Sequence, residues 1–276
     1  MLRGKTLSVV GLISTVAIVA TAAICLLCKR QPDAGTRVFQ GKTLATWFDQ
    51  MQGYNRDPGV QTLREIGSDS IVYLAQQINR KDSFLRTQYV ALWPKLPGFL
   101  RSILHRPKSA PTIRMLAIGT LREMGPALTT SDIGLATLMT ALDHPDIEVR
   151  SRAEGAIGDI GPQAKGAVQA LIRSVERRDL TSTGHIDING IWALGKVGPD
   201  ASVAIPVLES IIRQKGGREL VYAAEALIQV GGDRTMALAA LERALGDQDQ
   251  QVRTEAAEAL RKARLTSPAA AESGLR

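Results

Sequence analysis

The sequence predicts an all-α fold, a right-handed α-solenoid of antiparallel helix pairs, preceded by an N-terminal transmembrane helix. Three observations lead to this prediction. Aromatic residues make up 4% of the 276 residues while the chain is 45% hydrophobic, a composition that suits close helix packing better than sheets. A hydrophobic residue followed by glycine recurs at helix ends with a period of 33 to 37 residues. An uncharged apolar run lies near the N-terminus.

The apolar run covers residues 7–28, between a short tail (1–6) and a polar linker (29–37). It contains 22 residues without a charge, eleven of them Leu, Ile or Val. A helix of this length spans roughly 33 Å, and those eleven residues contribute about −3 to −7 kcal/mol of insertion free energy. We therefore expect a single-pass anchor in an inner or cell membrane, with the body on the extracytoplasmic, periplasmic side.

A cleaved signal peptide is the alternative interpretation of this run. Arg3 and Lys5 form a basic n-region, and the small residues up to Ala22 match a cleavage pattern, which would release a secreted body. Cys25 and Cys28 are the two cysteines of the chain and both lie inside the run. No disulfide or cysteine metal site is therefore expected in the body.

A leader segment, residues 38–57, precedes the repeats. Gly41 predicts a turn and Thr43 a helix cap. The residues that follow have the spacing of one apolar helix face, which we expect to cover the open end of the first repeat. That face carries Leu44, Trp47, Phe48 and Met51.

Helical repeats are predicted for residues 58–264, followed by a disordered tail, 265–276. The clearest unit is 143–175, in which Asp143 and Pro145 open a first helix, with Asp146 placed to complement its dipole. Gly161 can adopt the left-handed conformation that ends this helix, and the following proline opens the second. Two such helices cannot bury their apolar faces alone, so successive pairs must stack. The repeated glycines are Gly67, Gly125, Gly161, Gly198 and Gly231.

The repeat pattern resembles the HEAT-repeat family in its short bacterial, phycobilisome-lyase-like form. The segments that carry the resemblance are 146–162 and, in the last repeat, 249–260. The resemblance implies a solvent-side or ladder arginine at Arg114, Arg150 and Arg253. Asp187 and Leu220 stand at the same position in other repeats, so a continuous ladder is not expected. It implies a superhelix like those of HEAT and armadillo proteins but is almost silent on function, and no functional residue of a lyase is carried over to this chain.

An irregular basic and aromatic segment, 80–112, interrupts the repeats. This segment carries most of the positive charge of the body. The formal net charge of residues 80–115 is +7, the same as that of the whole chain, while that of residues 116–276 is −3. Phe84, Tyr89, Trp93 and Phe99 alternate here with cations, and four prolines break the helices. We interpret the basic cluster either as a solvated or locally paired face or as a surface that binds an anionic protein or lipid surface. Its candidate residues are Arg86, Tyr89, Trp93, Lys95, Arg101, Arg106 and Lys108.

The sequence contains no recognisable catalytic motif. The histidines, His105, His144 and His185, are about 40 residues apart without a neighbouring ligand, and no phosphate loop or nucleophile elbow occurs. We therefore expect no enzyme activity, no cofactor and no metal, and interpret the chain as a membrane-anchored scaffold for a protein partner. The alternatives are a nucleic-acid-binding protein that uses 80–115, which the acidic body disfavours, and a lyase-type accessory enzyme.

Overall fold

The computed structural model describes most of the folded body of the chain. Among the described residues, no helix is long and apolar enough to cross a membrane. The predicted anchor, linker and C-terminal tail lie outside these residues, apart from Leu265. The described ranges are 38–50, 57–104, 106–130, 132–177 and 188–265.

The leader begins with a β-hairpin that the sequence did not predict. Strand β1 (Val38–Phe39) pairs with antiparallel strand β2 (Lys42–Thr43). The two turn residues between them, Gln40 and Gly41, have φ values of 48° and 76°, as a tight two-residue hairpin turn requires. Helix α1 (Leu44–Gln50) follows directly, because Thr43 Oγ1 accepts a hydrogen bond from Thr46 N at 3.2 Å and caps it.

Helix α1 packs its apolar face against the first repeat. Leu44 and Phe48 are buried, and the ring of Phe48 lies edge-on to that of Tyr73, with 5.8 Å between their centroids. Trp47 donates its indole N–H to the Phe39 carbonyl at 3.0 Å, which holds the hairpin against the helix. The fourth predicted member of this face, Met51, lies outside the described residues.

The rest of the described chain is helical, so the all-α prediction is confirmed apart from the short hairpin. Short 3₁₀ segments follow three helices at Gly125–Thr130, Gly161–Ala167 and Gly198–Ala204, and a fourth covers Trp93–Lys95. The helices are α2 (Asp57–Ile66), α3 (Ser68–Ile78), α4 (Phe84–Leu92), α5 (Gly98–Ile103), α6 (Ala110–Met124), α7 (Asp132–Ala141), α8 (Ile147–Ile160), α9 (Val168–Glu176), α10 (Ile188–Val197), α11 (Ile205–Gln214), α12 (Gly217–Gln229), α13 (Arg234–Ala244) and α14 (Gln250–Leu265).

The helices form stacked pairs, as the repeat predicted. The first helices α6, α8, α10, α12 and α14 pack against one another in sequence order. The second helices α7, α9 and α11 each pack against the first helix of the next pair, and α13 packs against both α12 and α14. Their shared core consists of small and branched aliphatic residues, among them Leu138, Ala153, Ile157, Leu194 and Leu227, all fully buried. A continuous helical-repeat core results. The right-handedness of the superhelix stays a prediction.

The repeated glycines end the first helix of each pair. All five have a positive φ, between 55° and 82°. At Gly161, however, ψ is −137°, so the residue lies outside the left-handed helical region that the sequence predicted and in a region that only glycine adopts readily. Asp146 also differs from expectation: its side chain accepts from Glu148 N at 3.1 Å, so it is the cap of α8 rather than a first-turn residue.

Arginines join neighbouring repeats at the ends of the second helices. Arg177 donates to the carbonyl of Leu142 at 3.0 Å, and Arg243 donates to that of Ile212 at 2.8 Å, in each case at the end of the preceding second helix. These guanidinium groups satisfy carbonyls that a helix end leaves unpaired.

The predicted arginine ladder has one rung between described residues, from Arg114 to Asp146 at 3.4 Å. Arg150 and Arg253 instead donate to loop carbonyls of their own repeat, five and six residues earlier. At these two positions the ladder stays a prediction.

Candidate docking surface

Polar contacts centred on Asp82 hold the irregular segment in place. One carboxylate oxygen of Asp82 accepts from the backbone N of Ala110 at 2.8 Å, and the other lies 3.3 Å from Nε of Arg86. Arg86 Nε also donates to the carbonyl of Lys108 at 2.8 Å. The start of α4 is thereby fixed to the start of α6, and Arg86 has a structural role rather than the predicted contact role.

Lys108 is a second structural cation. Its Nζ lies 2.6 Å from Oδ1 of Asp49, which belongs to α1. This ion pair joins the leader helix to the base of the segment. Lys108 was predicted to bind a partner, but its charge is already neutralised by Asp49.

The two aromatic candidates pack on each other. Tyr89 is 5% exposed, and the ring of Trp93 stands at 90° to it with 6.0 Å between the centroids. Trp93 is half-buried. Stacking of nucleic-acid bases needs an exposed ring face, so this pair gives no support to the nucleic-acid alternative. Tyr89 was a wrong choice for a contact residue because it belongs to the core of the segment.

The remaining three candidates are free to meet a partner. Lys95, Arg101 and Arg106 are exposed and form no ion pair with any residue in the described ranges. No acidic residue occurs from Ser83 to Arg122. These three cations therefore produce a positive surface whose charge is not compensated within the segment.

An apolar face accompanies these cations, and the choice of site residues had missed it. On α4 the exposed side chains fall on one arc of the helix, which includes Phe84 (75% exposed), Leu85 and Leu92. On α5, Phe99 and Ile103 are 64% and 74% exposed and lie one turn apart. Helix α4 has large apolar residues around most of its circumference. This feature of the sequence could have indicated that one apolar face would stay exposed.

We define the docking surface as these exposed apolar side chains and the three free cations. Five large apolar residues are exposed within 20 residues of chain, and such exposure makes the segment a candidate interaction site. The cations add a preference for an anionic partner. Its members are Phe84, Leu85, Leu92, Lys95, Phe99, Arg101, Ile103 and Arg106.

In the described part of the chain, no group of three His, Cys, Asp or Glu side chains could hold a metal ion. Of the three histidines, His144 lies within the described ranges, and its Nδ1 accepts a hydrogen bond from Asp146 N at 3.0 Å. Burial, followed by the positive charge of Arg114, lowers the pKa of His144. The hydrogen bond places it in the turn before α8, in a structural position. His105 and His185 lie outside the described residues.

Comparisons with solved structures give helical-repeat proteins. A chain of the CpcE–CpcF complex of phycocyanin lyase from Nostoc sp. PCC7120 has 18% identity and a TM-score of 0.48, covering 80% of this chain and 77% of that one. A designed armadillo repeat protein has 18% identity and a TM-score of 0.42, covering 79% and 98%. An engineered protein has 16% identity and a TM-score of 0.37, covering 80% and 96%. No family model and no curated protein matches the sequence.

Proposed function

We propose that the chain is a non-enzymatic scaffold, anchored through residues 7–28, that presents its helical repeats to a partner protein. The docking surface supports this proposal more than any other feature. It exposes large apolar side chains beside uncompensated cations, and a monomer gains nothing in stability from either. The stacked repeats supply a long rigid body on which such a surface keeps its geometry.

The docking surface determines how the scaffold works. Its apolar residues provide the burial that drives association, and Lys95, Arg101 and Arg106 favour an anionic counterpart. The structural pairs of Arg86 and Lys108 hold the segment in place, so that binding does not have to order it first. In this proposal the body is extracytoplasmic, and secretion after cleavage near Ala22 is the alternative outcome.

Affinity capture from crosslinked native membranes tests the proposal. The full chain is compared with a double variant of the docking surface, Phe99→Ser with Arg101→Gln. The matched control changes one exposed apolar residue and one exposed cation elsewhere on the repeats, Val203→Ser with Lys165→Gln. We expect at least one protein whose recovery falls about tenfold in the docking variant and is unchanged in the control. Equal recovery from all three chains would contradict the proposal.

A reporter fused to the C-terminus tests the placement of the body. An enzyme that is active only outside the cytoplasm should be active in this fusion, and the full-length fusion should remain in the membrane after carbonate extraction. A reporter that is active only in the cytoplasm would contradict the extracytoplasmic placement. Release of a shortened chain would support cleavage near Ala22.

A further inference from the structure

We propose that the turn of residues 142–146, which precedes α8, is a pH-sensitive joint that opens in mild acid because the hydrogen bond that closes it requires a neutral His144. This inference concerns regulation and does not depend on the scaffold proposal. Three observations carry it: the chemistry of that hydrogen bond, an equivalent turn that uses aspartate in place of histidine, and the arginines from neighbouring repeats that meet at the turn.

An imidazole nitrogen accepts the hydrogen bond that closes the turn. Nδ1 of His144 accepts from the backbone N–H of Asp146 at 3.0 Å. A backbone N–H is always a donor, so this bond exists only while Nδ1 has a free lone pair. An imidazolium ion has none, because both of its nitrogens carry protons. Protonation of Nδ1 therefore sets two donors against each other and forces the ring out of the turn.

The turn before α14 closes with the same hydrogen bond but with a different acceptor. There Oδ1 of Asp247 accepts from the backbone N–H of Asp249 at 2.9 Å. In both turns, an arginine six residues after the acceptor donates to the acceptor's own carbonyl at 2.7 Å, Arg150 in the first turn and Arg253 in the second. Histidine side chains ordinarily gain a proton near pH 6.5 and carboxylates roughly 2.5 pH units lower, so mild acid distinguishes the two turns.

The histidine turn also contacts the neighbouring repeats. Arg114 of α6 reaches Asp146 in the turn, with 3.4 Å between Nη2 and Oδ2, and its Nη1 donates to the carbonyl of Arg80 after α3 at 3.0 Å. From the other side, Arg177 after α9 donates to the Leu142 carbonyl at 3.0 Å. Opening of the turn therefore weakens contacts on both sides of it, towards α3 and α6 and towards α9.

The surroundings of the imidazole oppose its protonation in the closed turn. Burial is the largest cause that lowers the pKa of His144, followed by the charge of Arg114 and, more weakly, that of Arg150. Asp146 raises this pKa without reversing the net decrease. Arg177 pairs with a carboxylate of the turn itself. The charged groups at the turn are Arg114, Asp143, Asp146, Arg150 and Arg177.

The population of the open turn therefore rises as the pH falls. In the open turn the imidazole is solvated and gains a proton near its ordinary pKa of about 6.5, whereas in the closed turn it does so only at lower pH. Between pH 7.5 and 5.5, this difference increases the ratio of open to closed turns by at most about tenfold.

Hydrogen exchange of the full chain, measured by mass spectrometry at pH 7.5 and 5.5, tests the inference. After correction for the intrinsic effect of pH on exchange, we expect peptides that cover residues 142–150 to lose about threefold or more in protection at the lower pH. Peptides that cover residues 245–253 of the same protein should not change. His144→Asp introduces the acceptor that the second turn uses, so this variant should abolish the loss at 142–150.

The comparison of the two turns within the wild-type chain needs no variant, so a variant that fails to fold does not decide the result. An equal change at both turns overturns the inference, and so does a change of less than about twofold at 142–150. A loss of protection that persists in a folded His144→Asp chain overturns it as well, because the imidazole would then not be its cause.

Discussion

Nζ of Lys108 and Oδ1 of Asp49 lie 2.6 Å apart, and this ion pair connects the leader helix α1 with the docking segment across 59 residues of chain. The pair is exposed on one side, since the Asp49 side chain is 66% exposed and that of Lys108 is 24% exposed. Its position makes it a link between helix α1 and the surface proposed to bind.

A double-mutant cycle on this pair should give a small coupling free energy. We expect Asp49→Ala, Lys108→Ala and the double variant to show a coupling below about 1 kcal/mol, because exposed ion pairs are weakened by water and side-chain entropy. Urea unfolding of the four proteins measures it. The role of the pair is positional, so hydrogen exchange of α1 should rise in each single variant. A coupling above about 2 kcal/mol would show that the pair stabilises the fold instead.

Gly158→Ala should destabilise the protein despite the better helix propensity of alanine. A methyl group at Gly158 of α8 would overlap the ring of Trp192 on α10, and such overpacking costs about 1–3 kcal/mol. Gly119→Ala in α6 is the matched control, since nothing lies within 4 Å of the added methyl group. The control should stabilise by up to about 1 kcal/mol. Shifts of the same sign in thermal unfolding would contradict the close packing of these helices.

Gly161→Ala should lower the free energy of unfolding by about 1–3 kcal/mol, because φ of 70° with ψ of −137° strains any residue that has a Cβ. Gly161→Asn should not restore stability, since asparagine tolerates the left-handed helical region but not this one. Gly166→Ala in the same 3₁₀ segment is the control, with its nearest contact at 3.5 Å and no positive φ. Chemical denaturation of the three variants measures the difference, and full rescue by asparagine would disprove the assigned conformation.

His144 should make the fold less stable in mild acid. Its pKa is lowered in the folded state by burial and by Arg114, with Asp146 opposing and Arg150 adding to the shift. Below the ordinary histidine pKa of about 6.5, the unfolded chain therefore binds more protons than the folded chain, and stability decreases as pH falls. From pH 7.5 to 5.5, wild type should lose more stability than His144→Gln. An equal loss of stability in both proteins would show that His144 is not its cause.

The sequence predicted the repeat architecture well because its signals are local. A glycine after a buried aliphatic residue ends a helix whatever the rest of the chain does, and Gly161 and Gly198 do so with positive φ. The hairpin of β1 and β2 was missed because two-residue strands are too short to show a period. The bond from Arg150 to the His144 carbonyl depends on where loop carbonyls lie in space, which no spacing in the sequence records.

The sequence singled out the segment but did not show which of its side chains are exposed. Residue type identified the segment, yet it could not tell that Tyr89 turns inward while Phe99 and Ile103 turn out. Nor could it show that Asp82 and Asp49 neutralise Arg86 and Lys108, since those acids lie on other elements. Which cation is free follows from tertiary contacts rather than from composition.

Oxidative footprinting of the full chain tests most directly whether the docking surface is covered when the protein is at work. The chain is labelled once in native membranes. It is labelled again after purification, either free of detergent or as the smallest assembly that stays soluble. We predict that Phe84, Phe99 and Ile103 are protected at least about fivefold in membranes, while the equally exposed Val203 and Leu265 on the repeats label equally in both states. Equal labelling of Phe84, Phe99 and Ile103 in both states would contradict the central claim.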